Sequence, residues 1–154
     1  MPVLGTTLTS LRPLIQGTHG VVVASHPSAA MIGLDILRQG GNAVDAGVAV
    51  GLALNVVHGH ECSFLGVAPT IMYLADRREV ITIDGLGVWP QAASIEYFQR
   101  HHGGKLPVGV LRALTPGAAD AWFTALAQYG TMRFADVVHS FPTRRSSDLR
   151  KSVV

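Results

Sequence analysis

The stretch GLDILRQGGNAVDA, running from Gly33 to Ala46, decides how the chain is read. It holds the end of one helix, a tight break and the start of a second. Ahead of it, Ser25-His26-Pro27 opens the first helix, because proline is favoured at the first helical position, where its missing N–H has no intrahelical partner to lose. Ala30, Met31, Leu34, Ile36 and Leu37 are expected to form the apolar face, with Asp35, Arg38 and Gln39 mostly outside it. Gly40-Gly41 ends the helix, since glycine accepts the left-handed cap conformation. Asn42 then caps the next helix, and Asp45 lies three residues on, placed to satisfy the free backbone donors. From Ala43 to Val57 the pattern is apolar almost all round, with small residues at Ala46, Gly47, Ala49, Gly51 and Ala53. Such a helix is expected to be buried on every side. At about 15 residues it reaches roughly 22 Å, short of the ~30 Å of a hydrocarbon core. It is a core helix and not a membrane span.

Working outward, Val21-Val-Val-Ala24 is a short β-branched run after Gly20 and reads as a buried strand. His58 to Gly66 is a loop. Thr70–Leu74 and Val80–Asp84 read as two strands turned by Asp76-Arg-Arg78. Gly85, Gly87 and Pro90 break the chain. Ser94 to Arg100 reads as a short helix, and residues 101–109 as a polar, glycine-rich loop. Pro116-Gly117 opens a helix from Ala118 to Tyr129, Gly130 ends it, and Phe134 to Val138 begins another. There are no internal repeats, and the fold class is α+β.

The 154 residues are 48% hydrophobic and 14% charged, which excludes disorder. Cys62 is the single cysteine, so no disulfide forms within the chain. The net charge of +2 is unevenly spread: from Ser140 onward there are four basic residues (Arg144, Arg145, Arg150, Lys151) and one acid (Asp148), leaving eight basic and nine acidic groups before them. The part expected to fold therefore has no electrostatic footprint for nucleic acid. Ser140-Phe-Pro-Thr-Arg-Arg-Ser-Ser-Asp-Leu149 is similar to the translation of one reading frame of a widely used sequencing-library adapter. Residues 140–154 are accordingly read as a foreign tail, residues 1–19 as an N-terminal extension and residues 20–139 as a partial domain. The natural chain is expected to continue past about residue 139. No signal-peptide pattern is evident, which favours a cytoplasmic protein if Met1 is the true start.

Taken in order, three blocks resemble the γ-glutamyltranspeptidase family (γ-glutamyltransferases, or glutathione hydrolases). Val22-Val-Ala-Ser-His-Pro27 with residues 33–46 is similar to the family's "ASSHPLA…GLDILKKGGNAVDAAVAA". Ile83-Asp84-Gly85 with Pro90 is similar to "DGRETAP" or "DGSGRAP". Thr115-Pro116-Gly117 through Tyr129-Gly130-Thr131 is similar to "TPGTVAGWxxALxxYGT". The resemblance covers residues 20–138 and places the chain in the first part of the family's large subunit.

That resemblance implies an Ntn-hydrolase αββα sandwich, of which this chain is an N-terminal fragment. It implies γ-glutamyl transfer or glutathione hydrolysis in the full-length protein, through an acyl-enzyme on the N-terminal Thr of a small subunit. An adjacent amine serves as base for the weak hydroxyl nucleophile, and backbone donors stabilise the oxyanion. The nucleophile and most substrate contacts would lie beyond residue 139, so no catalytic residue is assigned here and the substrate-binding residues are left unknown. No cofactor is expected. The partners implied are a small amide substrate and the small subunit. The alternatives are a related amidohydrolase acting on another small amide, a metal-binding protein, and a non-catalytic family member.

Two departures stand out. The family's Arg that pairs with the substrate α-carboxylate falls on Leu86 in one motif variant and on Val88 in the other. The family's "GIGGGGF" run is here Phe64-Leu65-Gly66-Val67-Ala68-Pro69, which keeps one glycine of four. Elsewhere, His58, His60, Glu61 and Cys62 crowd four possible metal ligands into five residues. Structural zinc sites usually draw a second ligand pair from further along, so a polar loop without metal is expected. His101-His102 reads as part of a solvated loop. Trp89 could line a substrate pocket or pack. Trp122 is expected in the core, and Asp45 is expected to be a helix cap, not an acid catalyst.

Overall fold

A computed structural model of the chain describes residues 14–139. The proposed tail and most of the N-terminal extension lie outside the described residues. Helix α1 (Pro27–Arg38) and helix α2 (Ala43–Val57) come first, then a hairpin of β1 (Thr70–Leu74) and β2 (Glu79–Ile83), then α3 (Ile95–His102), a single 3₁₀ turn at Val110–Arg112, α4 (Ala118–Tyr129) and α5 (Phe134–His139).

The helix boundaries follow the expected signals. The His26 imidazole accepts from the Ser28 N–H at 3.2 Å, a capping role the sequence reading did not assign. Asn42 and Asp45 form a reciprocal capping box: Asn42 Oδ1 accepts from the Val44 and Asp45 N–H groups, and Asp45 Oδ2 accepts from the Asn42 N–H at 2.8 Å. β1 and β2 pair antiparallel, with Thr70 opposite Ile83 and Leu74 opposite Glu79.

The core is where α1, α2, α4 and α5 meet. Ile32 and Ile36 from α1 pack with Ala46, Val48, Ala49 and Ala53 from α2, Ala125 and Leu126 from α4, and Val137 from α5. Met72 and Ile83 bring the inner face of the hairpin against this cluster. A two-stranded hairpin is marginal alone and needs such packing to persist. Trp122 is half-buried over Gly51, in line with its expected core role.

Four expectations are corrected. Val21–Ala24 forms no strand, and Val23 is 87% exposed. A β-branched run becomes a strand only where another edge accepts its hydrogen bonds, and among the described residues none lies beside it. Helix α2 is not buried on every side: Ala43, Gly47 and Val56 are exposed. Met31, expected on the apolar face of α1, is 52% exposed, while Ala29 and Ile32 are buried. The inward face is thus rotated from the one read off the sequence. His101 and His102 belong to the last turn of α3, which runs on to a left-handed cap at Gly103. Their imidazoles lie beside the Tyr97 ring, with centroids at 4.8 and 5.7 Å. None of the helices is long and apolar enough to cross a membrane among the described residues.

Candidate functional site

The three sequence blocks converge at two places. One is a clasp at the start of α2. Asp45 is fully buried. Besides its capping bond, its Oδ2 accepts from the Thr131 hydroxyl at 2.6 Å, and its Oδ1 accepts from the Thr131 and Met132 N–H groups at 3.0 and 3.1 Å. Asn42 Nδ2 donates to the Tyr129 carbonyl at 2.7 Å. The Asn-x-x-Asp pair therefore caps two things at once: the N-terminus of α2 and the chain reversal between α4 and α5. A Cβ on Gly130 would press on Asp45 Oδ1 and the Leu126 carbonyl, which is why glycine precedes Thr131. Asp45 is a cap as expected. Its second set of partners, about 86 residues away in sequence, was missed. The only local hint was a Gly-Thr pair following a helix.

The other meeting place is a knot of three loops beside the hairpin. The Ala68 N–H donates to the Gly85 carbonyl at 2.8 Å, and the Thr115 N–H donates to the Val88 carbonyl at 2.8 Å. Gly66 offers its carbonyl to the Gly117 and Ala118 N–H groups at 3.2 and 3.1 Å. These are orphan donors of the α4 N-terminus, which no side chain caps. Gly87 holds φ at +85°, and a Cβ there would run into the Thr115 carbonyl oxygen. A Cβ on Gly117 would in turn collide with the Gly87 nitrogen. The glycines let three backbones touch, and that contact fixes the direction of the 84–90 loop.

Leu86 and Val88 project from this loop, 42% and 66% exposed. Beside them Asp84, Thr115, Asp120 and Thr124 line an open groove of about 440 Å³ with the loop glycines. Trp89 meets the Phe98 ring edge-on, centroids 6.1 Å apart, and lines a separate apolar hollow of about 250 Å³ with Tyr97, Val110 and Leu111.

The His58 loop folds more tightly than its sequence suggested. His58 closes α2, and its Nε2 lies 3.0 Å from Glu61 Oε2. The His60 ring lies tilted against that of His58, with centroids 4.3 Å apart and planes at 39°. One potential ligand atom from each of His58, His60 and Glu61 lies within 4.8 Å of the other two, a group Cys62 does not join. The hydrogen bond from His58, with the positive charge His58 and His60 carry when protonated, holds the Glu61 carboxyl below its usual range.

The chain belongs to the γ-glutamyltranspeptidase family: the family model described as gamma-glutamyltranspeptidase matches residues 29–142. It is 37% identical over 133 residues to the Acylase ACY 1 proenzyme of Pseudomonas sp. (strain SE83), covering 80% of this chain and 24% of that protein. It is 34% identical over 128 residues to the Glutathione hydrolase proenzyme of Escherichia coli (strain K12), covering 80% and 22%. Helicobacter pylori gamma-glutamyltranspeptidase superposes with a TM-score of 0.74 at 30% identity, over 84% of this chain and 38% of that one. The cephalosporin acylase from Bacillus halodurans superposes with a TM-score of 0.66 at 26% identity, over 90% and 27%. The chain spans about a quarter of the length of the curated relatives it matches. Its helices and hairpin are a piece of the Ntn-hydrolase architecture, in keeping with the expected α+β class.

Proposed function

We propose that this chain is the opening part of the large subunit of an amide hydrolase or acyltransferase, and that its acyl substrate lacks the α-carboxylate of a γ-glutamyl group. In this reading a Thr hydroxyl outside the chain attacks the amide carbonyl, the amine leaves with a proton, and water or an amino acid takes the acyl group from the ester. In this reading the residues described here supply neither the nucleophile nor its base. They hold the 84–90 loop in place.

The observation that carries the substrate reading is Leu86. It stands where the family resemblance puts a carboxylate-binding Arg, on a loop pinned by backbone bonds to Ala68 and Thr115. Val88, at the alternative position, is apolar too. Neither can make the charge-assisted, bidentate bond that a carboxylate favours. Relatives named as acylases beside relatives named as glutathione hydrolases support a family in which the acyl end varies. The exposed outer face of the hairpin (Ile71, Tyr73, Val80) and the groove of about 350 Å³ between α2 and β1 support further sheet and helix layers in the full-length protein, the small subunit included.

The test uses the complete gene's product. kcat/KM is compared for a γ-glutamyl anilide and for 4-aminobutanoyl anilide, which lacks the α-carboxylate, in the wild type, Leu86→Arg and Val88→Arg. A charge-assisted bond of about 1.5–3 kcal/mol corresponds to roughly ten- to a hundredfold. The wild type is expected to favour 4-aminobutanoyl anilide, with one Arg variant shifting preference toward the γ-glutamyl anilide by that factor. A wild type that already prefers the γ-glutamyl anilide, unimproved by either substitution, overturns the proposal.

A further inference from the structure

The turn after α2 carries a cluster that neither the core nor the loop knot uses. His58 is half-buried at the helix end, while His60 and Glu61 are exposed. Two backbone bonds, from the Glu61 and Cys62 N–H groups to the His58 carbonyl at 3.0 Å each, wind residues 58–62 back on themselves. That winding sets one atom each of His58, His60 and Glu61 within 4.8 Å of the other two. Around a zinc-like ion with bonds of about 2.0–2.1 Å, tetrahedral ligand atoms sit roughly 3.4 Å apart. The His58–Glu61 pair, at 3.0 Å, is already near that spacing. One ring nitrogen of the exposed His60 lies within 4.8 Å of a ligand atom on each of the other two.

We propose that His58, His60 and Glu61 form an open, three-ligand site for a late first-row divalent metal ion, with water completing the coordination. Two imidazoles and a carboxylate suit zinc, copper or nickel and not calcium or magnesium, which take all-oxygen shells. The expectation from sequence was a polar loop without metal, because a closed four-ligand cage needs a second contributing segment. An open site has no such requirement, and the turn itself supplies the convergence. The metal would tie the end of α2 to the segment leading to Gly66, whose carbonyl caps α4.

The alternative is that His58 and Glu61 form an ordinary ion pair with the His60 ring merely lying beside it. His60 separates the two, because it takes no part in the His58–Glu61 bond. Zinc chloride alone is titrated calorimetrically into the tag-free chain, its His60→Ala and Glu61→Gln variants, and a His101→Ala control. One equivalent of zinc is expected to bind with a dissociation constant on the order of 10 µM, weakened at least ~10-fold in His60→Ala and Glu61→Gln and unchanged in His101→Ala. His60 is exposed, so its truncation leaves the fold intact, which circular dichroism on the same samples checks. Absence of binding at about 1 mM zinc, or binding that His60→Ala leaves unchanged, overturns the proposal.

Discussion

Removing the Asp45 carboxylate is expected to be among the most damaging single changes in this chain. The side chain is 0% exposed and accepts four hydrogen bonds: from the Asn42 N–H, the Thr131 hydroxyl, the Thr131 N–H and the Met132 N–H. Asp45→Ala removes all four and leaves three backbone donors without an acceptor. A hydrogen bond to a charged group contributes about 1.5–3 kcal/mol, and a buried donor left unpaired costs about 1–3 kcal/mol. The four bonds share one carboxylate, and Thr131 is exposed enough for water to replace part of what it loses. Counting two of the four in full gives about 3–6 kcal/mol, a large fraction of the ~5–15 kcal/mol that holds a domain folded. Asp45→Asn keeps the shape and the Oδ1 acceptor but places an NH₂ against the Asn42 N–H, and is expected to cost about 2 kcal/mol. The assay is urea unfolding followed by circular dichroism on the protein and both variants, with the slope checked for constancy. Thr131→Val supplies a double-mutant cycle with Asp45→Asn, and a coupling of about 1 kcal/mol is expected if the two side chains act as one clasp. An unfolding free energy for Asp45→Ala within about 0.5 kcal/mol of wild type, or no coupling in the cycle, refutes the reasoning.

Gly117→Ala is expected to destabilise by about 2 kcal/mol or more, because its Cβ must push the Gly87 backbone off the α4 N-terminus; thermal unfolding beside the harmless control Gly47→Ala, where a Cβ meets nothing, reads it. The Arg133 guanidinium, hydrogen-bonded to Asp136 at 2.8 and 2.9 Å, holds the Asp136 carboxyl below its usual range. The stability this pair contributes is therefore complete above the ordinary Asp pKa and fades as the pH falls through the lowered value. Asp136→Asn should accordingly be slightly less stable than wild type at pH 7, with the gap closing as the pH falls below the ordinary carboxylate range; a gap that persists in acid counts against the pair. The 154-residue chain by itself is expected to show no turnover of a γ-glutamyl anilide above a heat-killed control, since the residues described here include no assigned nucleophile.

The elements that local chemistry dictates were legible in the sequence. Proline at the start of α1, the Asn42–Asp45 box before α2 and the glycines after α1 and α4 each act within a few residues, so the boundaries of α1, α2 and α4 could be read directly. The hairpin was equally plain, because alternation and a polar turn need no distant partner to be recognised. What failed were readings that depended on which neighbour lay alongside. Val21–Ala24 has the composition of a strand, but a strand is a relation between two segments, and only the tertiary structure shows that none of the described residues pairs with it. An apolar surface all round α2 says that burial would be favourable and not what is there to bury it, which is why Ala43 and Gly47 stay exposed in this chain. Asp45 shows the same division within one residue. Its cap on α2 is local and readable, whereas its hold on Thr131 and Met132 exists only because the α4–α5 turn is packed against the start of α2. At the candidate site, the residue types at Leu86 and Val88 were visible in the sequence. The glycine-to-glycine contact that fixes their loop came from three segments folding together, because backbone atoms far apart in the chain meet only in three dimensions.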